Sequence, residues 1–168
     1  MLPLFWGYCM LLIKKMKCTI VVCTLLVVAA RSYSQDSLTN TKILVIVKEF
    51  SEKSIRFTSL DSLPQFVLNY IEKKNGEKFS VSRRKFNATD VGSGPRRRLS
   101  FLAKLKDDYI LSYEHGGMGY HGHSIIFETD GGEMTNVYNI ITYDNVKNLS
   151  ELMDIIKSKQ YWLRSEHL

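Results

Sequence analysis

From Arg97 to Tyr143 the chain alternates between two kinds of side chain. Arg97, Leu99, Phe101, Ala103 and Leu105 fall at every second position, with Ser100, Lys104 and Lys106 among the residues between them. A period of two puts successive side chains on opposite faces of a strand. The alternation is interrupted at Lys106-Asp107-Asp108, at Gly116-Gly117-Met118-Gly119 and at Asp130-Gly131-Gly132. These interruptions are short and rich in turn formers, so each strand returns antiparallel beside the last. The predicted strands run from Arg97 to Lys106, Tyr109 to His115, Tyr120 to Glu128 and Glu133 to Tyr143.

Two segments show helical spacing instead. Between Thr58 and Lys74, residues Leu60, Leu63, Phe66, Val67, Tyr70 and Ile71 form one apolar stripe. Thr58 and Asp61 resemble a capping box, Pro64 suits a first turn, and Asn75-Gly76 is a stop signal. A second capping box, Asn148 with Glu151, opens a helix whose apolar side carries Leu149, Leu152, Met153 and Ile156. Tyr161 and Trp162 are expected to fold back onto the core. Lys42 to Phe50 is apolar on both sides of a two-residue repeat and reads as an interior strand. Lys78 to Phe86 alternates weakly, and Asn87 to Pro95 is a loop. The expected fold is α+β: a curved antiparallel sheet of five to six strands, helix stripes covering one face, and a C-terminal helix. The strand, helix, strands order resembles that of the cystatins, in which a sheet grips one helix. The glutamine-valine-glycine loop of that family is absent, so the resemblance is one of topology alone.

The N-terminus is of a different character. Two apolar runs, Leu2 to Ile13 and Cys18 to Ala30, flank the basic cluster Lys14-Lys15-Met16-Lys17. The second run has a positive start, an apolar stretch and the small-residue exit Ser32-Tyr33-Ser34, the three parts of a secretory signal. Residues 1–34 are therefore expected to be a leader, with Met16 as the true start and Gln35 as the first mature residue. Residues 35–41 form a flexible lead-in and residues 42–168 a single domain. Export to the periplasm or beyond follows, with an uncleaved N-terminal membrane anchor as the alternative. Cys9, Cys18 and Cys23 all lie in the leader, so the mature domain has neither disulfides nor thiol chemistry.

The leader also accounts for much of the formal charge of +6. It holds four of the 23 basic residues and none of the 17 acidic ones, which leaves the mature part at only +2. That balance and an extracytoplasmic location argue against nucleic acid as partner. The charge is segregated, however. Arg83-Arg84-Lys85 and Arg96-Arg97-Arg98 flank a Gly-Ser-Gly loop. Brought together, Arg83, Arg84, Arg96 and Arg97 would suit an anionic glycan or a lipid head group.

The chemistry-bearing stretch is Tyr113-Glu114-His115-Gly116-Gly117-Met118-Gly119-Tyr120-His121-Gly122-His123. Three of the four histidines of the chain fall within it. His121 and His123 are two apart and share a strand face, and a hairpin would bring His115 alongside. Three imidazoles suit Zn²⁺ or Cu²⁺ with one position left open. Glu114 points away from His115. Glu128 lies on the face opposite His123. The spacing of His121, His123 and Glu128 resembles the first half of a cupin metal motif, but the second half is missing and the strands are too few for a double-sheet barrel. A purely structural account fits the same residues: the glycines shape a hairpin, and Tyr113, Tyr120 and the histidines form a polar-aromatic patch.

Read together, these features describe an exported, non-catalytic binding or interaction domain with an envelope or extracellular partner. Tyr113, Glu114 and Tyr120 would serve as contact residues beside the arginines. The alternative is a Zn- or Cu-binding protein, or a small metal-dependent enzyme, centred on His115, His121 and His123.

Overall fold

The computed structural model describes residues 38–164 apart from Asp90, Gly92 and Met118. The leader, its cysteines and the first part of the lead-in lie outside the described residues. Residues 38–53 are helical (α1). There follow β1 (Ile55–Phe57), a single 3-10 turn (Leu60–Ser62), α2 (Gln65–Asn75), β2 (Arg97–Leu105), β3 (Asp108–His115), β4 (His121–Asp130), β5 (Glu133–Thr142), α3 (Leu149–Ser158) and β6 (Trp162–Arg164). The six strands form one open antiparallel sheet in chain order. Among the described residues no helix is long and apolar enough to cross a membrane.

The alternation along β2 to β5 builds two cores, one on each face of the sheet. On one face Phe101, Ala103, Ile110, Ile126 and Ile140 meet Ile43, Val47 and Phe50 of α1 and Leu149, Leu152 and Ile156 of α3. On the other, Leu102, Tyr109, Leu111, Tyr113, Ile125 and Phe127 meet Leu63, Val67 and Ile71 from the α2 segment, with Phe79. Helices therefore cover both faces, where the stripes had suggested one.

Four departures from the sequence reading have physical causes. Lys42 to Phe50 is helix, not strand, and residues 38–41 of the expected lead-in are helical as well. Ile43, Val47 and Phe50 recur at helical spacing and are all buried. A short apolar run satisfies both periods, and packing against the sheet selects the helix. The helix expected from Thr58 is broken in two. Ser59 caps the 3-10 turn, Leu63 is extended, and α2 starts after Pro64 at its N-cap. A residue before proline is pushed out of the helical region, so Leu63 cannot carry a helix through. In β2 the register shifts between Leu99 and Phe101. This bulge moves Leu99 to the α2 side while Phe101 and Ala103 face the α1 side, so the single face drawn from Arg97 to Leu105 is split. Finally, residues 78–86 form no strand; Ser82 alone bridges to Arg98, in parallel.

Both predicted helix signals near Asn75 and Asn148 are present. Gly76 ends α2 in the left-handed region at φ 69°. The Asn148 side chain accepts the Glu151 backbone N–H at 3.0 Å, which satisfies one of the unpaired donors at the start of α3.

Candidate metal centre

The site is built on the β3–β4 hairpin, at the end of the sheet away from the Lys106 turn. The register pairs His115 with His121 and Tyr113 with His123. All four side chains project to the α2 face, in line with Ile125 and Phe127. Glu114 pairs with Gly122 on the opposite face. Two glycines allow the backbone to be crowded here. A Cβ on Gly122 would lie 2.6 Å from Thr142 Oγ1 and 2.7 Å from the Asp144 carbonyl oxygen. A Cβ on Gly116 would strike the backbone of Asn87 and Ala88.

The three imidazoles converge. Their ring centroids are separated by 5.1 Å (His115 to His121), 5.9 Å (His115 to His123) and 4.7 Å (His121 to His123). One ligating nitrogen from each lies within 4.8 Å of the other two. His115 Nδ1 and His121 Nε2 are already 3.4 Å apart. Tetrahedral coordination at the usual Zn–N length separates nitrogens by about 3.3 Å, so this pair is at coordination distance, and a nitrogen of the third ring lies within 4.8 Å of both.

Hydrogen bonds fix which nitrogen carries a lone pair. His121 Nδ1 faces the Gly119 carbonyl oxygen. His123 Nδ1 lies 3.0 Å from Asn139 Oδ1. Both partners are acceptors, so both Nδ1 atoms carry the proton and both Nε2 atoms keep their lone pairs. Carbonyl oxygens behind histidine ligands orient metal sites in this way. With a proton on His115 Nδ1, the His115–His121 contact is a hydrogen bond; in the other neutral tautomer, with the proton on Nε2, His115 Nδ1 would offer a lone pair to a metal.

Burial sets the charge state. It pushes His123 down to about 3, against the hydrogen bond to Asn139, and the neighbouring His121 and His115 act in the same direction as burial. His115 is lowered to about 4, first by burial and then by the cation of Arg97 and by His121. Both are neutral at pH 7, the state in which imidazole binds a metal.

Tyr113 lies beneath the cluster. Its ring stacks on His123 at 4.9 Å and 10°. Its buried hydroxyl has no hydrogen-bond partner among the described residues, and burial raises its pKa. Arg97 sits across from His115 in the register. It is ion-paired to Glu77 at 2.6 Å and lies over the Phe79 ring.

The remaining candidates fall elsewhere. Glu114 is 3% exposed and bound by Arg98 through two 2.9 Å hydrogen bonds, by Asn145 at 2.8 Å and by Tyr120 at 3.1 Å. It is thus committed to a polar knot on the far face and is not a metal ligand. Glu128 bonds Tyr138, also off the histidine face. Arg83, Arg84 and Arg96 are exposed. Ser82 accepts from Leu99 N and donates to Arg97 O, which does draw the two basic runs together. Of the six cations, however, Arg97 and Arg98 are engaged by Glu77 and Glu114. Arg83 borders a cleft of about 500 Å³ between α2 and residues 78–83 that also contains Asp61 and Glu72.

Sequence reasoning missed Asn139 and the Gly119 carbonyl, placed Arg98 in an anion-binding run where it instead holds Glu114, and expected Trp162 on the core where it is 44% exposed. A second cleft of about 500 Å³ opens beside His121, walled by Tyr120, Ile141, Tyr143, Trp162 and Leu163. No protein-family model, no curated protein and no solved structure matches this chain. The domain is a small α+β unit with a clustered three-histidine site capable of coordinating a metal ion.

Proposed function

We propose that this chain is a metal-binding protein that holds Zn²⁺ or Cu²⁺ on His115 Nδ1, His121 Nε2 and His123 Nε2. The carrying observation is that one ring nitrogen from each of the three imidazoles lies within 4.8 Å of the other two. The acceptors behind His121 and His123 support it, because they hold the protons on Nδ1 and leave both Nε2 lone pairs free. An all-imidazole set selects borderline transition metals over Mg²⁺ and Ca²⁺, which take oxygen ligands. Three protein ligands leave a fourth position open.

Binding is favoured over turnover. A metal-bound water needs a nearby proton acceptor to be used in hydrolysis. Glu114, the nearest acid in sequence, is turned to the other face and held by Arg98. The secretory pattern before Gln35 supports an exported, metal-holding domain. N-terminal sequencing of the protein from its own host tests that part, and a mature form that retains Cys18 would sink it.

The metal reading is tested by calorimetry on chelator-treated protein at pH 7. One equivalent of Zn²⁺ or Cu²⁺ is expected to bind. His123→Ala should abolish uptake and His167→Ala should leave it unchanged. Absence of uptake by the unmodified chain rejects the reading.

A further inference from the structure

Eight large hydrophobic side chains are exposed among the described residues, and four of them gather at one place. Tyr120, Tyr143, Trp162 and Leu163 are 38%, 70%, 44% and 39% exposed, and all four wall the cleft beside His121. Scattered apolar side chains are ordinary on a protein surface, but a contiguous group around a concavity marks a binding site. The volume of about 500 Å³ suits a small molecule.

The walls are held in place before anything binds. Tyr120 is fixed by its hydrogen bond to Glu114 and by an edge contact with Phe86 at 6.1 Å. Trp162 is placed by strand pairing with Ile141, which is itself the cross-strand neighbour of His123. Tyr143 meets Trp162 edge-on at 4.3 Å. Such a surface loses little conformational freedom when it takes up a flat apolar group.

His121 belongs to both sites. It lines the cleft and offers Nε2 to the metal. Three neutral imidazoles would leave both positive charges of a divalent ion uncompensated. The nearby Arg97 adds a cation, and Glu77 engages it. Glu114 is tied to Arg98 on the other face. The fourth ligand is therefore favoured to be an anion supplied from outside.

We propose that the cleft and the open coordination position form one site, which binds a small aryl carboxylate with its carboxylate on the metal and its ring between Tyr120, Tyr143 and Trp162. This rests on the metal-binding reading above, and the experiment separates the two.

The full chain is first titrated with Zn²⁺. The Zn²⁺-loaded protein is then titrated with acetate and with 3-phenylpropionate, and the metal-free protein with 3-phenylpropionate. The expected result is at least about tenfold tighter binding of 3-phenylpropionate than of acetate, because only the former fills the apolar walls. Removing Zn²⁺ should weaken it by a similar factor or more. Trp162→Ala and Leu163→Ser should each bring 3-phenylpropionate toward acetate without changing Zn²⁺ affinity; two variants guard against one of them disturbing β6. Equal affinities for the two acids, or an aryl affinity indifferent to Zn²⁺, would overturn the shared site and leave the metal centre standing. No Zn²⁺ uptake in the first titration would overturn both.

Discussion

Acid should unfold this domain through His123, and the loss can be sized. His123 is 5% exposed and its pKa in the fold is about 3, against an ordinary value of 6.5. Between these values the unfolded chain binds a proton that the folded chain refuses. Stability is therefore complete above the unfolded value and falls as pH drops through 6.5, until the folded value is reached. From pH 7 to pH 4.5 the loss from this one group is about 2.5 kcal/mol, at 1.36 kcal/mol per unit. His115, lowered to about 4 but only partly buried, contributes in the same direction. The perturbation is His123→Phe, which keeps a flat ring against Tyr113 and removes the titration. Urea unfolding in chelator, at pH 7 and at pH 4.5, gives the stability of each protein at each pH. The wild type should lose about 2.5 kcal/mol more than the variant over that interval, whatever their difference at pH 7. Equal losses would refute the claim that the fold holds His123 neutral.

Three further outcomes are expected. Tyr113→Phe removes a buried hydroxyl that has no partner among the described residues and should raise stability by about 1 kcal/mol, seen as a higher melting temperature; a drop would mean that the hydroxyl is bonded. Gly122→Ala forces a Cβ against Thr142 and Asp144 and should cost about 1–3 kcal/mol along with Zn²⁺ affinity, since β4 must shift between His121 and His123. Gly119→Ala, whose Cβ would meet nothing within 4 Å, is the neutral control, and equal effects at the two glycines would contradict the crowding at Gly122. Arg98→Met strands the Glu114 carboxylate and should cost about 3 kcal/mol in a melt or urea titration, while adding Glu114→Gln should recover part of it; no recovery would mean that the Arg98–Glu114 charge pair is not what the substitution breaks.

The four hairpin strands were legible because their signals are local. Period-two alternation and the turn residues at Asp107, Gly116 and Gly131 lie within a few positions of what they determine. The histidine cluster was legible for the same reason: same-face spacing places His121 beside His123, and the hairpin supplies His115. What escaped depends on distant partners. Ile43 to Val47 fits both periods, and only the sheet face that it covers makes it a helix. The bulge after Leu99 reverses a face without altering the alternation that predicted it. Asn139 stands sixteen positions from His123, and its role follows from the β4–β5 register, which no spacing rule gives. β6 has three residues, too few for a period to appear, and so the cleft formed by Trp162 was hidden as well. The strand alternation that turns Glu114 away from His115 also delivers it to Arg98.

The three histidines share one hairpin, which has a consequence in time. His115 and His121 are direct partners across the β3–β4 turn, and His123 is one step along. A hairpin of this kind closes in about 1–10 μs, far sooner than a whole β-sheet assembles. The three imidazoles can thus meet, with Tyr113 already against His123, while the rest of the chain is still searching for its pairings, whereas Asn139 and the remaining cover of His123 arrive only with β5 and the elements beyond. An ion caught at that early stage would bias the chain toward the native β3–β4 register, because a slip of one residue turns His121 and His123 to the wrong face. Metal supply during refolding should then change the rate at which the sheet forms as well as its final stability.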